Sequence, residues 1–450
     1  MAGAKKKLKG VGRKIGSDQL IEVEEPRERA VLLSAPNKSL SRGEAQEHLD
    51  ELASLTDTAG ADVVATVQQQ IQTPHPAYYI GTGKVEQVAS TVAENRASLV
   101  IFDDDLSPVQ GQKLEGALGV RVMDRTELII DIFAFRARTA EARTQVELAQ
   151  LQYLMPRLTR MWNHLSRIRG GIGLRGPGET QLETDRRTIR RKIRDLKRRL
   201  EKVARQRETE RKGRAGEFRV ALLGYTNVGK SSILAGLSGS DLFIEDRLFA
   251  TLDSATRAVD LGDGFQALVT DTVGFIRKLP HDLIASFRAT LEEANEADVL
   301  CHVVDVSSPH WEEHYEVVES VIADLQFNPK TRLVVFNKVD RLTHDEQAAI
   351  EERADALLDA HVFTSTVEPE GLEPLRVALK SEMRERWPTV QLTIPAAEGG
   401  LLAEMYREGE VLAREEQGAS IRITVRLPVE VLGRLKANEE VGIFEAPPAA

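Results

Sequence analysis

The 450-residue sequence predicts an α/β multidomain protein: a small parallel α/β N-terminal domain, a long antiparallel helical hairpin, a second and larger α/β domain, and a small α+β C-terminal domain. Three observations predict it. Strand signals alternate with helix signals over residues 30–137, which favours a parallel sheet with helices on its faces. Two apolar stripes at steps of three and four then flank a glycine- and arginine-rich stretch. Beyond residue 215 the alternation resumes, with a glycine-rich loop between the first strand and the first helix.

Residues 1–29 read as a basic flexible tail, opening with Lys5, Lys6, Lys7, Lys9, Arg13 and Lys14. Within 30–137, strands are expected at Ala30–Ser34, Asp62–Val67, Leu99–Phe102 and Val120–Met123. Helices are expected at Ser41–Leu55, Lys84–Glu94, Pro108–Ala117 and Thr126–Phe135, the first with Ser41 as N-cap and Glu44 completing a capping box. In 138–214, Leu148, Leu151, Met155, Leu158, Trp162 and Leu165 form one stripe, and Ile189, Ile193, Leu196, Leu200 and Val203 the other. Pro156 should kink the first helix. Thr180 with Glu183 should cap the second, and Gly213 should end it. The simplest arrangement is an antiparallel helical hairpin. Its tip, Arg167 to Gly178, contains Arg167, Arg169 and Arg175 among glycines and suits a probe that meets phosphates on a large partner.

The second α/β domain spans 215–388, with strands at Phe218–Leu223, Phe265–Thr270, Val299–Val304 and Leu333–Phe336. An α+β domain follows over 389–440, with strands at Gln391–Ile394, Val411–Glu415 and Ile421–Val425 and helices near Gly399–Arg407 and Val429–Leu435. Residues 441–450 read as a tail.

Hydrophobic residues make up 42% and charged residues 29%, a soluble globular balance. No apolar run reaches about 18 residues, so no membrane span is expected. The single cysteine, Cys301, excludes an intrachain disulfide framework and a multi-cysteine zinc site, and its apolar neighbours mark it as a buried core thiol. With no apolar signal core behind the basic N-terminus, these features point to the cytoplasm. Net charge is −10, yet residues 186–212 hold 14 Lys/Arg against 4 Asp/Glu. A basic element on an acidic protein suggests a localised polyanion contact, with Arg186 and Arg187 beside the tip as candidates.

The glycine-rich loop carries the chemistry. Gly224, Tyr225, Thr226, Asn227, Val228, Gly229, Lys230 and Ser231 match the phosphate-loop pattern. Its backbone N–H groups cradle phosphates, Lys230 reaches the β and γ phosphates, and the Ser231 hydroxyl ligates Mg²⁺; Ser232 opens the following helix. About 40 residues on, Asp271, Thr272, Val273 and Gly274 follow a strand, where the carboxylate can hold Mg²⁺ and the Gly274 N–H can meet the γ-phosphate. Asn337, Lys338, Val339 and Asp340 follow another strand; Asp340 can accept two hydrogen bonds from guanine, a pair that adenine cannot donate. Residues 215–388 are therefore expected to be a P-loop GTPase domain binding GTP and GDP.

Between these motifs, Phe249, Ala250 and Thr251 are expected to close over Mg²⁺ and the γ-phosphate, with Thr256 as the rival threonine. Ser365 and Thr366 are expected to support the base. Phe275 stands where many GTPases carry glutamine, and an apolar side chain cannot orient the attacking water. No catalytic residue is therefore assigned, and slow intrinsic hydrolysis is expected. Asn227 allows two readings: a ligand to K⁺ beside the phosphates, or a brace within the loop.

The sequence resembles the HflX family of translational GTPases over residues 30 to 440. The resemblance rests on Tyr79 to Lys84, Asp105 to Gln110, Asp124 to Thr126, Gln145 to Tyr153, Asp271 to Ile276 and above all Gly170 to Arg187. It implies a protein that binds the large ribosomal subunit and its ribosomal RNA in the GTP form, splits or rescues stalled ribosomes under stress, and is stimulated by the ribosome; the chain is expected to act as a monomer. Leu174 and Ser254-Ala255 depart from residues frequent in that family, the latter weakening any role for Thr256. Gly81 to Lys84 superficially suggests a second phosphate loop, but its spacing fits a helix start better. The alternative is a signalling-type GTPase switch that uses the hairpin to bind a protein partner; the basic helix and arginine-glycine tip favour RNA.

Overall fold

A computed structural model describes residues 27–166, 177–212, 217–240, 247–262, 265–280, 283, 294–327, 330–436 and 442–445. The chain divides into two compact units, residues 1–129 and 130–450.

In the first unit four parallel strands, β1 (Glu28–Ser34), β2 (Ala61–Gln68), β3 (Leu99–Phe102) and β4 (Arg121–Asp124), lie in the order β2-β1-β3-β4. Strand β1 begins before residue 30, inside the stretch read as tail. The helix α1 (Arg42–Thr58) starts with the expected capping box at Ser41 and Glu44, and α3 (Pro108–Leu118) repeats the device at Ser107 and Gln110. Between them α2 (Thr82–Glu94) opens at Gly81, whose N–H donates to Gln69 Oε1 at 3.1 Å. The stretch Gly81 to Lys84 is thus a helix start. Val31, Leu33, Val85, Val88, Phe102 and Leu114 form the core of one face. Arg125 is buried with both Asp103, at 2.9 Å, and Glu51 as carboxylate partners.

Helix α4 (Arg125–Arg136) leads into the hairpin formed by α5 (Ala140–Ser166) and α6 (Pro177–Lys212). Ion pairs Glu141–Arg207 and Glu147–Lys192 run in opposite chain directions, which makes the pair antiparallel. Leu148, Leu158 and Leu196 are buried. Pro156 sits inside one continuous helix. The start of α6 corrects the expectation at Thr180: the helix is already formed at Pro177, a residue whose fixed φ suits a first helical turn, so Thr180 lies inside the helix rather than at its cap. The tip residues Arg167, Arg169 and Arg175 lie outside the described residues.

The second sheet has six strands in the order β10-β9-β8-β5-β7-β6. Strands β5 (Phe218–Gly224), β7 (Phe265–Asp271), β8 (Val299–Asp305), β9 (Thr331–Asn337) and β10 (His361–Thr364) are parallel. Strand β6 (Ala255–Gly262), not anticipated from the sequence, pairs antiparallel with β7. Helices α7 (Lys230–Ser238), α8 (Trp311–Asp324), α9 (His344–Leu357) and α10 (Glu373–Glu385) accompany it. Cys301 is fully buried on β8, where burial pushes its thiol up to about 12.

The last sheet is antiparallel: β11 (Thr389–Pro395), β12 (Glu410–Gln417), β13 (Ser420–Arg426) and β14 (Gly442–Glu445) in the order β12-β13-β11-β14. With α11 (Gly399–Glu408) and α12 (Val429–Lys436) interleaved, this is the βαββαβ ferredoxin-like topology. Val390, Leu392, Ile394, Met405, Ile423 and Val425 fill its core. Strand β14 corrects the reading of 441–450 as tail: it pairs with β11 from Gly442 to Glu445. Strand β12 forms the opposite edge and carries a bulge between Val411 and Ala413.

Candidate nucleotide-binding site

The site lies at the C-terminal ends of β5, β7, β8 and β9, where parallel α/β sheets place their ligands. Gly229 takes the left-handed φ of +97° at the cap of α7, and a Cβ there would meet Asn337 Nδ2 at 2.4 Å. Lys230 is buried and donates to the Gly224 carbonyl at 3.1 Å and the Tyr225 carbonyl at 2.8 Å. Burial lowers its pKa to about 8 against the opposing pull of Asp271.

Three oxygens converge beside it. Ser231 Oγ donates to Asp271 Oδ2 at 2.5 Å and lies 2.7 Å from Thr251 Oγ1. Burial raises the Asp271 pKa, with Lys230, Ser231 and Thr251 pulling it back. Its Oδ1 is buried without a hydrogen-bond partner. An orphaned carboxylate oxygen flanked by two hydroxyls fits a hard divalent cation. The rival Thr256 lies in β6, 2.9 Å from Thr270 Oγ1 across the strand pair.

The segment from Arg247 to Asp253 meets this cluster through Thr251 and is anchored to the phosphate loop by Phe249. Its N–H donates to Thr226 Oγ1 at 2.9 Å, and its ring packs edge-on against Phe133 at 4.7 Å. Phe275 is buried, and its main chain bridges the phosphate loop: Thr226 N donates to Phe275 O at 2.7 Å and Phe275 N to Gly224 O at 3.1 Å. Gly274 approaches so closely that a Cβ would lie 2.8 Å from Thr226 Cα and 3.2 Å from Lys230 Nζ. The Tyr225 ring stacks on His314 at 4.1 Å, and its hydroxyl accepts from Arg277 N at 2.9 Å.

On the other side, Asn337 Nδ2 donates to Val228 O at 2.8 Å and Thr364 Oγ1 donates to Asn337 Oδ1 at 3.2 Å. Lys338 Nζ bonds Asn227 O at 2.8 Å and pairs with Asp305 at 2.6 Å. Asp340, Thr366 and Lys338 line the same cleft as Thr226, Asn227, Lys230, Ser231 and Thr251. Ser232, Ala250, Thr272 and Gly274 also face it. Gly224, Tyr225, Val228, Asp271, Val273, Asn337, Val339 and Ser365, also singled out in the sequence, do not line the cleft themselves. Arg247, Arg341 and Val367 line the cleft too and were missed. The last two adjoin Asp340 and Thr366 and could have been found by neighbourhood; Arg247 sits in no recognisable spacing.

Family models match three stretches of the chain: "GTP-binding GTPase N-terminal" over residues 46–134, "GTP-binding GTPase Middle Region" over 136–214 and "50S ribosome-binding GTPase" over 219–338. A GTPase HflX of Magnetococcus marinus is 44% identical over 424 residues, 94% of this chain and 97% of the relative. The chain belongs to the HflX GTPase family. The GTPase HflX of Escherichia coli K12 is 41% identical over 397 residues, covering 87% of this chain and 92% of the relative. A GTP-binding protein from Sulfolobus solfataricus, solved in complex with GDP, aligns at 23% identity with a TM-score of 0.42 over 80% of this chain and 99% of that one. As a member of the HflX family the chain is a GTPase that converts GTP to GDP and phosphate. Among the described residues, no helix is long and apolar enough to cross a membrane.

Proposed function

We propose that this GTPase is a cytoplasmic, partly ribosome-associated monomer that binds the large ribosomal subunit in its GTP form and dissociates or rescues stalled ribosomes under stress. The observation that carries this reading is the arginine row of α6. Arg186, Arg190 and Arg194 recur at steps of four and, with Arg187, outnumber the one carboxylate, Glu183, in a cleft on the hairpin that Met155 and Ile193 also line. Guanidinium groups spaced along one helix face suit an RNA backbone, where charge neutralisation dominates affinity. The matched model described as a 50S ribosome-binding GTPase supports the choice of subunit.

In this reading the phosphates lie along Gly224 to Ser231, with Lys230 turning from the loop carbonyls to the β and γ oxygens. Asp340 accepts from guanine, Lys338 lies along the base, and Ser365 and Thr366 support it. Ser231, Thr251 and Asp271 are the residues that would hold Mg²⁺, which when bound neutralises charge on the phosphates. With its main chain tied to Gly224 and Thr226, Phe275 offers only an apolar side chain turned into the core. Intrinsic hydrolysis is therefore slow and is stimulated by the ribosome, and K⁺ at Asn227 is the candidate for additional charge neutralisation.

Co-sedimentation with purified large subunits tests the reading, run with GTP, GDP and a non-hydrolysable GTP analogue at low and high salt. Binding that needs the triphosphate and falls steeply with salt is expected. Binding that is indifferent to nucleotide, or none, would overturn it. Deleting residues 170–176 should leave GTP binding intact and abolish subunit splitting.

A further inference from the structure

The segment carrying Thr251 is fastened at two points that belong to different elements. Thr251 Oγ1 meets Ser231 Oγ on α7 at 2.7 Å. Two residues on, the Asp253 carboxylate accepts from the first turn of the hairpin: Oδ2 takes the N–H of Arg138 at 3.1 Å and of Thr139 at 3.2 Å, and Oδ1 takes the Thr139 hydroxyl. Thr139 Oγ1 in turn accepts from Ala142 N at 3.1 Å, so Thr139 is the N-cap of α5 and Asp253 caps the cap. A carboxylate at a helix N-terminus also meets the positive end of the helix dipole. Phe249 adds a third fixing point. It is buried in the left-handed region at φ +54°, which an aromatic residue adopts only when its surroundings compel it.

We propose that Asp253 is a positioning residue for GTP hydrolysis, holding Thr251 at the metal side of the phosphates by clasping the N-terminus of the hairpin's first helix. Two residues of chain span at most about 7 Å. A displacement of the α5 start therefore reaches Thr251 with almost no slack. The coupling runs both ways: a hairpin seated on its partner sets the hydrolytic geometry, and loss of the γ-phosphate loosens the clasp. The Thr139 hydroxyl acts with the backbone N–H groups of Arg138 and Thr139 as the sensing atoms, so the link depends on where the helix begins and on its N-cap hydroxyl.

This inference rests on the reading of Thr251 as a metal-side residue, and the experiment separates the two. Hydrolysis by the full-length chain is measured as kcat and KM, with GDP affinity alongside, for Thr251→Ala, Asp253→Ala, Thr139→Ala, Thr139→Ser and the double variant Asp253→Ala/Thr139→Ala. Thr251→Ala should slow hydrolysis. Asp253→Ala and Thr139→Ala should each lower kcat at least tenfold while GDP affinity stays within twofold. The double variant should be no slower than either single, because the two residues act as one unit. Thr139→Ser, which keeps the hydroxyl, should restore the rate. If Thr251→Ala leaves kcat unchanged, the metal-side reading fails and this inference with it. If Thr251→Ala slows hydrolysis but Asp253→Ala and Thr139→Ala do not, or if their effects simply add, the positioning role of Asp253 is wrong.

Discussion

Ser365 Oγ donates a 2.6 Å hydrogen bond to Asp340 Oδ1, joining two loops separated by 25 positions. The same oxygen accepts from the N–H groups of Val367 and Glu368, both at 3.2 Å, so its proton is committed to the carboxylate. One Asp340 oxygen is thereby fixed in orientation.

Base choice should therefore fail in two graded steps. Asp340→Asn loses a charge-assisted pair and should weaken GTP binding by about 1.5–3 kcal/mol, with preference shifting toward xanthine nucleotides, whose extra carbonyl suits an amide donor. Ser365→Ala removes the orienting bond together with the two loop bonds from Val367 and Glu368, leaves the Asp340 carboxylate in place, and should weaken GTP binding less than Asp340→Asn with the base preference kept. Titration of both variants with GTP and XTP checks the order; equal affinity of Asp340→Asn and the parent for GTP would discard the assignment.

Phe275→Gln should not create a fast GTPase. The side chain is buried, and both main-chain groups of Phe275 are bonded to the phosphate loop, so a glutamine amide would enter the core rather than reach the attacking water. An unsatisfied buried amide costs about 1–3 kcal/mol, so the variant should unfold at a lower temperature and hydrolyse no faster. A clear rate increase would show that this loop turns over during the reaction.

Nucleotide binding should take up a proton above pH 8. Burial lowers the Lys230 ammonium from its ordinary 10.5 to about 8, whereas phosphates favour the charged form. Between these values the unfolded chain binds more protons than the unliganded fold, so unliganded stability rises with pH there. GDP affinity should accordingly fall as pH increases through 8 and be insensitive to Lys230 below it. Calorimetry with GDP and a chelator, in two buffers of different ionisation heat, reads the proton directly; no uptake from pH 8 to 9 contradicts the expectation.

The choice of monovalent cation tests the phosphate loop. Asn227 adopts φ +62°, and its carbonyl is engaged by Lys338. If K⁺ neutralises charge beside it, hydrolysis should be faster in K⁺ than in Na⁺ at equal ionic strength, and Asn227→Ala should erase the difference. Equal rates with and without large subunits would leave Asn227 as a brace.

The loops that line the cleft could be singled out because the motif chemistry dictates residue type at fixed spacing: Gly229 for its backbone, Lys230 for charge, and Asp340 for a carboxylate at the other end of the same cleft. The helix starts at Ser41 and Ser107 are written in local hydrogen bonds; both helices were placed, but only the first capping box was read. Strand β6 was hidden because only Val259 and Leu261 turn inward along an edge otherwise polar or half-exposed, leaving too short an alternation to detect. Asp253 was opaque for a different reason: its partners lie 114 and 115 positions away, and nothing local announces a cap supplied to another helix. The same holds for Phe275. Its identity revealed a missing glutamine, while the parallel bridge between Tyr225 and Phe275 emerges only from tertiary pairing.

Strand β12 has a consequence for solubility in a crowded cell. An open sheet edge is a template on which other chains can add strands, and this edge is long. Here Arg414, Glu415 and Glu416 follow one another along it, Arg414 and Glu416 form a 2.7 Å ion pair, and the bulge at Val411 and Ala413 breaks the hydrogen-bond register an incoming strand would need. Resistance to intermolecular sheet growth is thus built into eight residues of the C-terminal domain, and apolar replacements at Arg414 and Glu415 would remove the charges that oppose it.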